Sequence, residues 1–246
     1  MSIKNCLIII KSELKNYIVS PSSYVFLIIF LLLSGFFTFN VSSFFSAGET
    51  SLRSFFYWHP MLYLVLVPAV GMHLWADERK TGTVELLFTM PISITEALIS
   101  KFTAAWLVIA SALLMTFPMV ITVYILGTPD SGTIVCGYIG SFLVAGTYLS
   151  IASFTSSITK SQVVSFILSV VICLFLFLAG LPSVTDMLVN WAPVGVIDTV
   201  ASFSIVTHFR NMQRGIIELK DISYFLSMIF LFQFTTGIIL KNNRLG

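Results

Sequence analysis

The sequence predicts an all-α integral membrane protein with six transmembrane helices and both termini in the cytoplasm. Of its 246 residues, 57% are hydrophobic and 10% are charged, whereas soluble domains carry about 25% charged residues. This composition would leave a soluble fold without enough polar surface, but it suits helices that contact lipid. The net charge of +2 comes from scattered positions, so the charge pattern does not indicate nucleic-acid binding.

Six apolar stretches are each long enough to cross a bilayer, which takes about 20 apolar residues in a helix. None of them contains Asp, Glu, Lys or Arg, so the formal charges lie in the connections and tails. Pro68 and Pro118 fall inside the second and third stretches, where proline kinks a helix. We predict a single transmembrane domain over residues 1–246, with spans at 24–45, 58–76, 102–126, 133–155, 163–181 and 222–240.

The distribution of Lys and Arg indicates the orientation, because cytoplasmic segments carry an excess of both. With the N-terminus inside, nine of these residues fall on inner segments and four on outer segments. Three of the four outer ones belong to the long connection 182–221. The bias therefore places the N-terminus and the C-terminus in the cytoplasm.

Two further segments have helical patterns outside the spans. Residues 1–20 predict an amphipathic helix in the inner membrane interface, with lysines on its other faces. Its apolar positions are Ile3, Leu7, Ile10, Leu14 and Tyr17/Ile18, and its lysines are Lys4, Lys11 and Lys15. The connection 182–221 is too polar to span and too apolar for a free loop, so we expect short extracytoplasmic helices there. Asp221 stands where an N-cap of the last span would lie.

The connection 77–101, between the second and third spans, departs in composition from its surroundings. Gly82 breaks the preceding helix, Thr83 can cap a new one, and Glu85 lies in its first turn, where the helix dipole favours an anion. Pro91 disfavours helix in the residue before it. We predict a short amphipathic helix between Gly82 and Pro91 at the cytoplasmic surface. A plain linker between two spans is the alternative, although a much shorter turn would serve for that.

The third span has its own start signal. Ser93 and Glu96 are three residues apart, immediately before the apolar run, and form a capping-box pattern. The connection therefore contains one discrete helix and then the first turn of the next.

The same connection resembles the sequence pattern of ABC-2-type transporter permeases. The resemblance is carried by Glu78-Arg-Lys-Thr-Gly-Thr-Val-Glu-Leu-Leu87, then Met90-Pro91-Ile92-Ser93, and later Lys101. It extends over essentially the whole chain. It is closest to the permeases of gliding-motility and nitrous-oxide-reductase maturation systems, through His208-Phe209, Arg214-Gly215 and Asp221-Ile-Ser-Tyr-Phe225.

This resemblance implies a multi-pass exporter subunit of the bacterial cytoplasmic (inner) membrane, driven by cytoplasmic ABC ATPase subunits. It implies pairing with a second permease, either another copy or a sister subunit, and admits a periplasmic accessory protein. ATP and Mg would bind to the partner ATPase, and this chain would bind no cofactor. The helix after the second span would seat in a groove of the ATPase. By matching position, that coupling role falls on Glu78, Arg79, Gly82, Thr83, Glu85, Leu86, Leu87 and Pro91.

Several function classes find no support in the residues. The chain has no Gly-x-x-x-x-Gly-Lys-Ser/Thr phosphate loop, so we expect ATP hydrolysis to belong to another chain and this chain not to be an enzyme. His73 and Asp77 lie four residues apart, a spacing that favours a hydrogen-bonded anchor over a metal site. The charge-free spans argue against an ion-coupled transporter. A non-transporting component that couples ATPase strokes to an envelope or motility machine is the alternative, because it needs the same inner helix.

Overall fold

The computed structural model of the chain describes residues 3–45, 48, 50–82, 93–181, 184, 195, 199 and 202–242. These residues are helical or lie in turns, and no strand occurs among them, which confirms the predicted all-α class. The helices with described bounds are α1 (Ile3–Val19), α2 (Pro21–Phe36, continued by a π-helical turn over Phe37–Val41), α3 (Arg53–Tyr57), α4 (His59–Gly71), α5 (His73–Thr81), α6 (Ile94–Met115), α7 (Phe117–Leu126), α8 (Ser131–Ile158), α9 (Gln162–Leu178), α10 (Ile205–Gln213) and α11 (Leu219–Asn242).

Among the residues that the structure describes, five helical stretches are long and apolar enough to cross a membrane, as a multi-pass membrane protein requires. They are Pro21–Val41, His59–Thr81, Ile94–Leu126, Ser131–Ile158 and Leu219–Asn242, and each covers most of one predicted span. The predicted span 163–181 corresponds to α9, which is apolar and 17 residues long. That length is at the lower end of the range of about 17–25 residues that crosses a bilayer. A total of six spans therefore stays a prediction.

The helices extend beyond the apolar stretches that predicted them. α5 continues through the charged run 77–80 and ends at Thr81. α6 begins at Ile94, whereas the predicted span begins at residue 102. The charged side chains of the added turns of α6, Glu96 and Lys101, are buried and have partners within the protein. Hydropathy alone therefore underestimates the length of this helix.

α8 is the central helix of the bundle. It contacts α4, α5, α6, α9, α10 and α11, and 78% of its most apolar stretch is buried, against 17% for α11. Small residues let its neighbours approach closely, as is common between transmembrane helices. A Cβ atom at Gly71 of α4 would lie 2.4 Å from Cβ of Ala152, so only glycine fits at this crossing.

The second and third span helices are each interrupted near a proline, as predicted. α4 gives way to α5 at Met72, four residues after Pro68. α6 gives way to α7 at Thr116, two residues before Pro118. Proline lacks an amide hydrogen and its ring displaces the preceding turn, which explains the break before Pro118. The break at Met72 comes one turn after Pro68, so this effect does not explain it.

The bundle has a charged end that brings distant parts of the sequence together. The predicted N-terminal helix is present as α1, and it packs against α6. α11 ends at the same place, because a Cβ atom at Gly237 would lie 3.5 Å from Cδ2 of Leu98 in α6. At the opposite end, α10 packs against α8 and the beginning of α11.

Candidate ATPase-coupling region

A buried lysine joins three helices at the charged end. Nζ of Lys101 lies 2.7 Å from Oε1 of Glu78 and 3.0 Å from Oε1 of Glu13. Lys101 is 7% exposed, and its ammonium stands 5.4 Å from the centre of the Trp75 ring. We call Glu13, Glu78 and Lys101 the charged bridge; it connects α1, α5 and α6.

Local sequence features position each member of the charged bridge. The hydroxyl of Ser93 accepts a hydrogen bond from the amide of Glu96 at 3.2 Å, and the Glu96 carboxylate accepts one from the amide of Ser93 at 3.1 Å. This is the predicted capping box, and it fixes the start of α6 two turns before Lys101. Glu13 lies on the side of α1 that contacts α6.

The charged bridge contains two carboxylates and one ammonium, so it has a formal charge of −1. Both carboxylate side chains are 23% exposed and the lysine side chain is 9% exposed. Removing one partner from a buried pair costs about 3–5 kcal/mol, because the other charge is left without compensation. Partial exposure reduces that cost here. The three helices are therefore coupled at one point.

The end of α5 is also attached to α8 and to the start of α9. The Arg79 guanidinium donates a hydrogen bond to the carbonyl of Ser157. The Asp77 carboxylate accepts a hydrogen bond from the side-chain amide of Gln162. It also accepts one from His73 Nδ1 at 3.1 Å. This agrees with the predicted role of His73 and Asp77 as an anchor.

Gly82 then ends α5 with a left-handed backbone. Its φ is +72°, a conformation that glycine adopts without steric cost and that terminates many helices. The prediction that Gly82 breaks this helix is confirmed. The described chain stops at this residue and resumes at Ser93, so α5 and α6, the helices on either side of the gap, are both joined to the charged bridge.

The comparison with known protein families decides what kind of membrane protein this is. A family model described as an ABC-2 family transporter protein matches residues 7–240. The chain belongs to this family. No curated protein matches it closely enough to supply a relative of known function. Membership makes the chain the membrane component of an ABC transporter, and the family implies association with a separate ABC ATPase subunit.

The structure of this ABC-2 family member places three of the eight predicted coupling residues. Glu78 lies in the charged bridge, Arg79 contacts α8, and Gly82 ends α5. The other five lie outside the described residues, as does the predicted helix between Gly82 and Pro91: Thr83, Glu85, Leu86, Leu87 and Pro91. Their coupling role stays a prediction.

The sequence pattern does not indicate a functional role for Glu13 or Trp75. Glu13 is the acidic residue of a helix whose other charged residues are lysines. This difference in charge is the sequence feature that could have indicated its role. Trp75 is fully buried, and its indole nitrogen donates a hydrogen bond to the hydroxyl of Ser153 at 3.2 Å. Its position near the end of a predicted span does not predict this burial.

A second polar cluster lies at the opposite end of the ABC-2 bundle. Asp221 accepts hydrogen bonds from Nδ1 of His208 at 2.6 Å and from the Asn211 amide at 3.0 Å. Nε2 of His208 lies 3.0 Å from the carbonyl of Ser202. The expectation that Asp221 caps the last span is wrong, because α11 already begins at Leu219. The carboxylate instead joins α10 to α11.

Proposed function

We propose that this chain is the permease subunit of an ATP-driven exporter in the bacterial cytoplasmic membrane. In this proposal the chain crosses the membrane six times with both termini in the cytoplasm. The ATPase docks at the charged end, and the segment between Gly82 and Pro91 seats in it as the coupling helix. The closest functional branch is that of the gliding-motility and nitrous-oxide-reductase maturation permeases.

The observation that carries the proposal is the position of the charged bridge. The candidate coupling segment connects the end of α5 at Gly82 to the start of α6 after Ser93, and Lys101 joins these two helices. A force applied to the segment would therefore act on α5 and α6 together. Because Lys101 also contacts Glu13, the same force would reach α1.

Two partners follow from this proposal. One is the cytoplasmic ABC ATPase, which supplies ATP hydrolysis with its bound Mg. The other is a second permease, a copy or a sister subunit, with which this chain encloses the transport path. Co-expression with an ATPase encoded beside the gene, followed by gentle solubilisation, should yield a stable complex. Recovery of the permease alone under those conditions would argue against the proposal.

Substitutions in the coupling segment test the mechanism directly. We expect Glu85→Lys or Gly82→Trp to abolish permease-dependent ATPase activity while leaving membrane insertion intact. Glu218→Lys is the matched control, since it makes the same charge change at an exposed position at the opposite end and should leave the activity unchanged. Unaltered ATPase activity in both coupling variants would overturn the coupling assignment.

A non-transporting role is the second candidate, because a coupling helix would serve a mechanical machine equally well. Proteoliposomes that contain the permease and its ATPase distinguish the two. ATP-dependent movement of a labelled compound, lost in Gly82→Trp, supports export. The candidate substrates are compounds suggested by the functions of the neighbouring genes. If the permease stimulates the ATPase fully but none of these compounds moves, the result favours the mechanical role.

A further inference from the structure

A cleft opens between α2 and α4 and continues to the charged end beside α1 and α5. It consists of two adjacent cavities of about 380 and 220 Å³. Three residues, Tyr17, Ser22 and His73, line both cavities, so the two form one passage. The larger cavity alone falls within the range of about 300–1,000 Å³ of ligand sites.

The cleft changes from apolar to polar along its length. The deeper cavity is lined mainly by side chains of the first and second span helices: Val25, Phe26, Ile29, Leu66, Ala69 and Val70. The mouth is lined by charged and hydrogen-bonding side chains: Glu13, Asn16, Ser20, Asp77 and Lys101. An apolar slot that opens at a polar end matches a molecule with a hydrocarbon chain and a polar headgroup.

The acidic side chains at the mouth outnumber the basic ones, and the Asp77 carboxylate keeps acceptor sites beside its hydrogen bonds to Gln162 and His73. Lys101 is already bound by two carboxylates in the charged bridge. The Asp77 side chain is 44% exposed, against 9% for Lys101. A headgroup that reaches the mouth therefore meets the carboxylate of Asp77 before the ammonium of Lys101. This arrangement favours an ammonium group and disfavours a headgroup that carries only negative charge.

Tyr17 contributes a neutral hydrogen-bonding group at the boundary between the two cavities. Burial, with a smaller contribution from the Glu13 carboxylate, raises the pKa of its hydroxyl. The hydroxyl therefore keeps its proton and can donate a hydrogen bond to a phosphate or ester oxygen.

We infer that this cleft binds a phospholipid of the phosphatidylethanolamine class. One acyl chain lies between α2 and α4, and the primary ammonium faces Asp77. The inference does not depend on the proposed function, since it concerns a lipid bound to the permease whether or not the chain moves a substrate. It also differs from ordinary lipid contact, because a bound chain inside the cleft would survive removal of the surrounding bilayer.

Native mass spectrometry of the full chain in detergent tests this inference. After delipidation, phosphatidylethanolamine or phosphatidylglycerol with identical acyl chains is added and the retained lipid is counted. We expect one retained phosphatidylethanolamine, preferred about two- to fivefold, the scale of a partly exposed charge interaction. Asp77→Asn should remove the preference and keep the binding.

Filling the cleft from either wall should remove the lipid. Ala69→Trp acts from α4 and Ile29→Trp from α2, so the test does not rest on one variant folding. Displacing two methylene groups from a buried position weakens binding by about tenfold or more. Val135→Trp is the control, because it fills a different groove, of about 690 Å³ between α7 and α8, whose lining contains no charged residue.

The outcomes separate clearly. Retention lost in both cleft variants and kept in Val135→Trp supports the site. Equal retention in the wild type and the cleft variants, a preference for phosphatidylglycerol, or retention of detergent only would overturn it. Loss of ATPase coupling in the Gly82→Trp permease is a separate result and leaves this one unaffected.

Discussion

At the residue scale, the charged bridge explains how a lysine is accommodated at a buried position in a membrane protein. An isolated charge there would be costly, but Lys101 has two carboxylates within 3.0 Å and an aromatic ring above it. The three partners come from residues 13, 75 and 78, on two other helices. Because these side chains contact the same lysine, a substitution at any one of them alters the electrostatic environment of the others.

We expect Lys101→Met to destabilise the protein and to weaken ATPase coupling, because it leaves Glu13 and Glu78 facing each other without a cation. The loss should stay below the roughly 3–5 kcal/mol of a fully buried pair, since the carboxylates are partly exposed. Thermal unfolding in detergent measures the first effect and ATPase assays of the complex the second. Lys160→Met, at an exposed lysine of the same end, is the control.

A double-mutant cycle shows whether the pair itself is responsible. Glu78→Gln should cost stability in the wild-type background. In the Lys101→Met background it should be neutral or stabilising, because it removes one of two repelling carboxylates. Additive losses would contradict the assignment of the charged bridge.

At the break between α4 and α5, a single serine side chain hydrogen-bonds the backbone groups that the interruption leaves without helical partners. The hydroxyl of Ser156 accepts hydrogen bonds from the amides of Trp75 and Ala76, both at 2.9 Å, and donates one to the carbonyl of Met72 at 3.0 Å. One hydroxyl offers two acceptor sites and one donor, so all its capacity is used. The side chain of α8 thus stabilises the interruption that follows Pro68.

Ser156→Ala should therefore lower the free energy of unfolding by about 1–3 kcal/mol, the cost of leaving buried polar groups without partners. Ser150→Ala is the matched control: it is equally buried, but its hydroxyl bonds only to the carbonyl of Thr147 in its own helix. Thermal unfolding of both variants measures the difference. Equal losses would contradict the special role of Ser156.

At the element scale, α10 is held against α11 by a charged cluster of three side chains. Nδ1 and Nε2 of His208 both face oxygen acceptors, the Asp221 carboxylate and the Ser202 carbonyl. The Tyr224 ring stacks on the imidazole, with centroids 4.1 Å apart.

We expect Asp221→Asn to loosen α10 from the bundle, because the amide has one acceptor oxygen where the carboxylate uses two, toward His208 and Asn211. Trypsin cleavage at Arg210 and Arg214 should become faster, while the transmembrane helices stay resistant. Asp130→Asn, at an exposed aspartate of the same end, provides the control. No change in the rate of cleavage would show that the hydrogen bonds of Asp221 do not hold this segment.

Hydropathy predicts the apolar interiors of the helices well, and their ends poorly. α8 and α11 begin and end within a few residues of their predicted spans, because lipid requires an unbroken apolar run. Hydropathy does not detect the additional turns of α5 and α6, because Asp77 and Lys101 are paired with Gln162 and Glu78 of neighbouring helices. The capping pattern at Ser93 located the true start of α6 when hydropathy did not.

At the scale of the whole molecule, the sequence predicts the class and the position of the coupling region, but not the contacts that surround it. The periodicity of α1 shows which residues are apolar, yet not which helix Glu13 will face. That contact depends on how α1 lies against α6, which is a property of the packed bundle. The hydrogen bonds of Ser156 likewise depend on the register of α8 against the broken second helix.

The number of spans and the orientation of the molecule are tested together by cysteine labelling. The natural cysteines, Cys6, Cys136 and Cys173, are buried, so we expect little background labelling from them. New cysteines are placed at Lys160, Thr128, Arg214 and Asn242, four exposed positions. A membrane-impermeant maleimide added to intact cells should label Thr128→Cys and Arg214→Cys only, and Lys160→Cys and Asn242→Cys should react after the cells are opened.

The pair Lys160 and Arg214 decides whether α9 crosses the membrane. They stand on the two sides of this 17-residue helix, so they label from opposite sides if α9 spans the bilayer and from the same side if it does not. Thr128 and Lys160 flank α8, which is 28 residues long and serves as the internal standard. Protection of both Lys160→Cys and Arg214→Cys in intact cells, together with labelling of Asn242→Cys, would reduce the count to five spans and move the C-terminus to the other side.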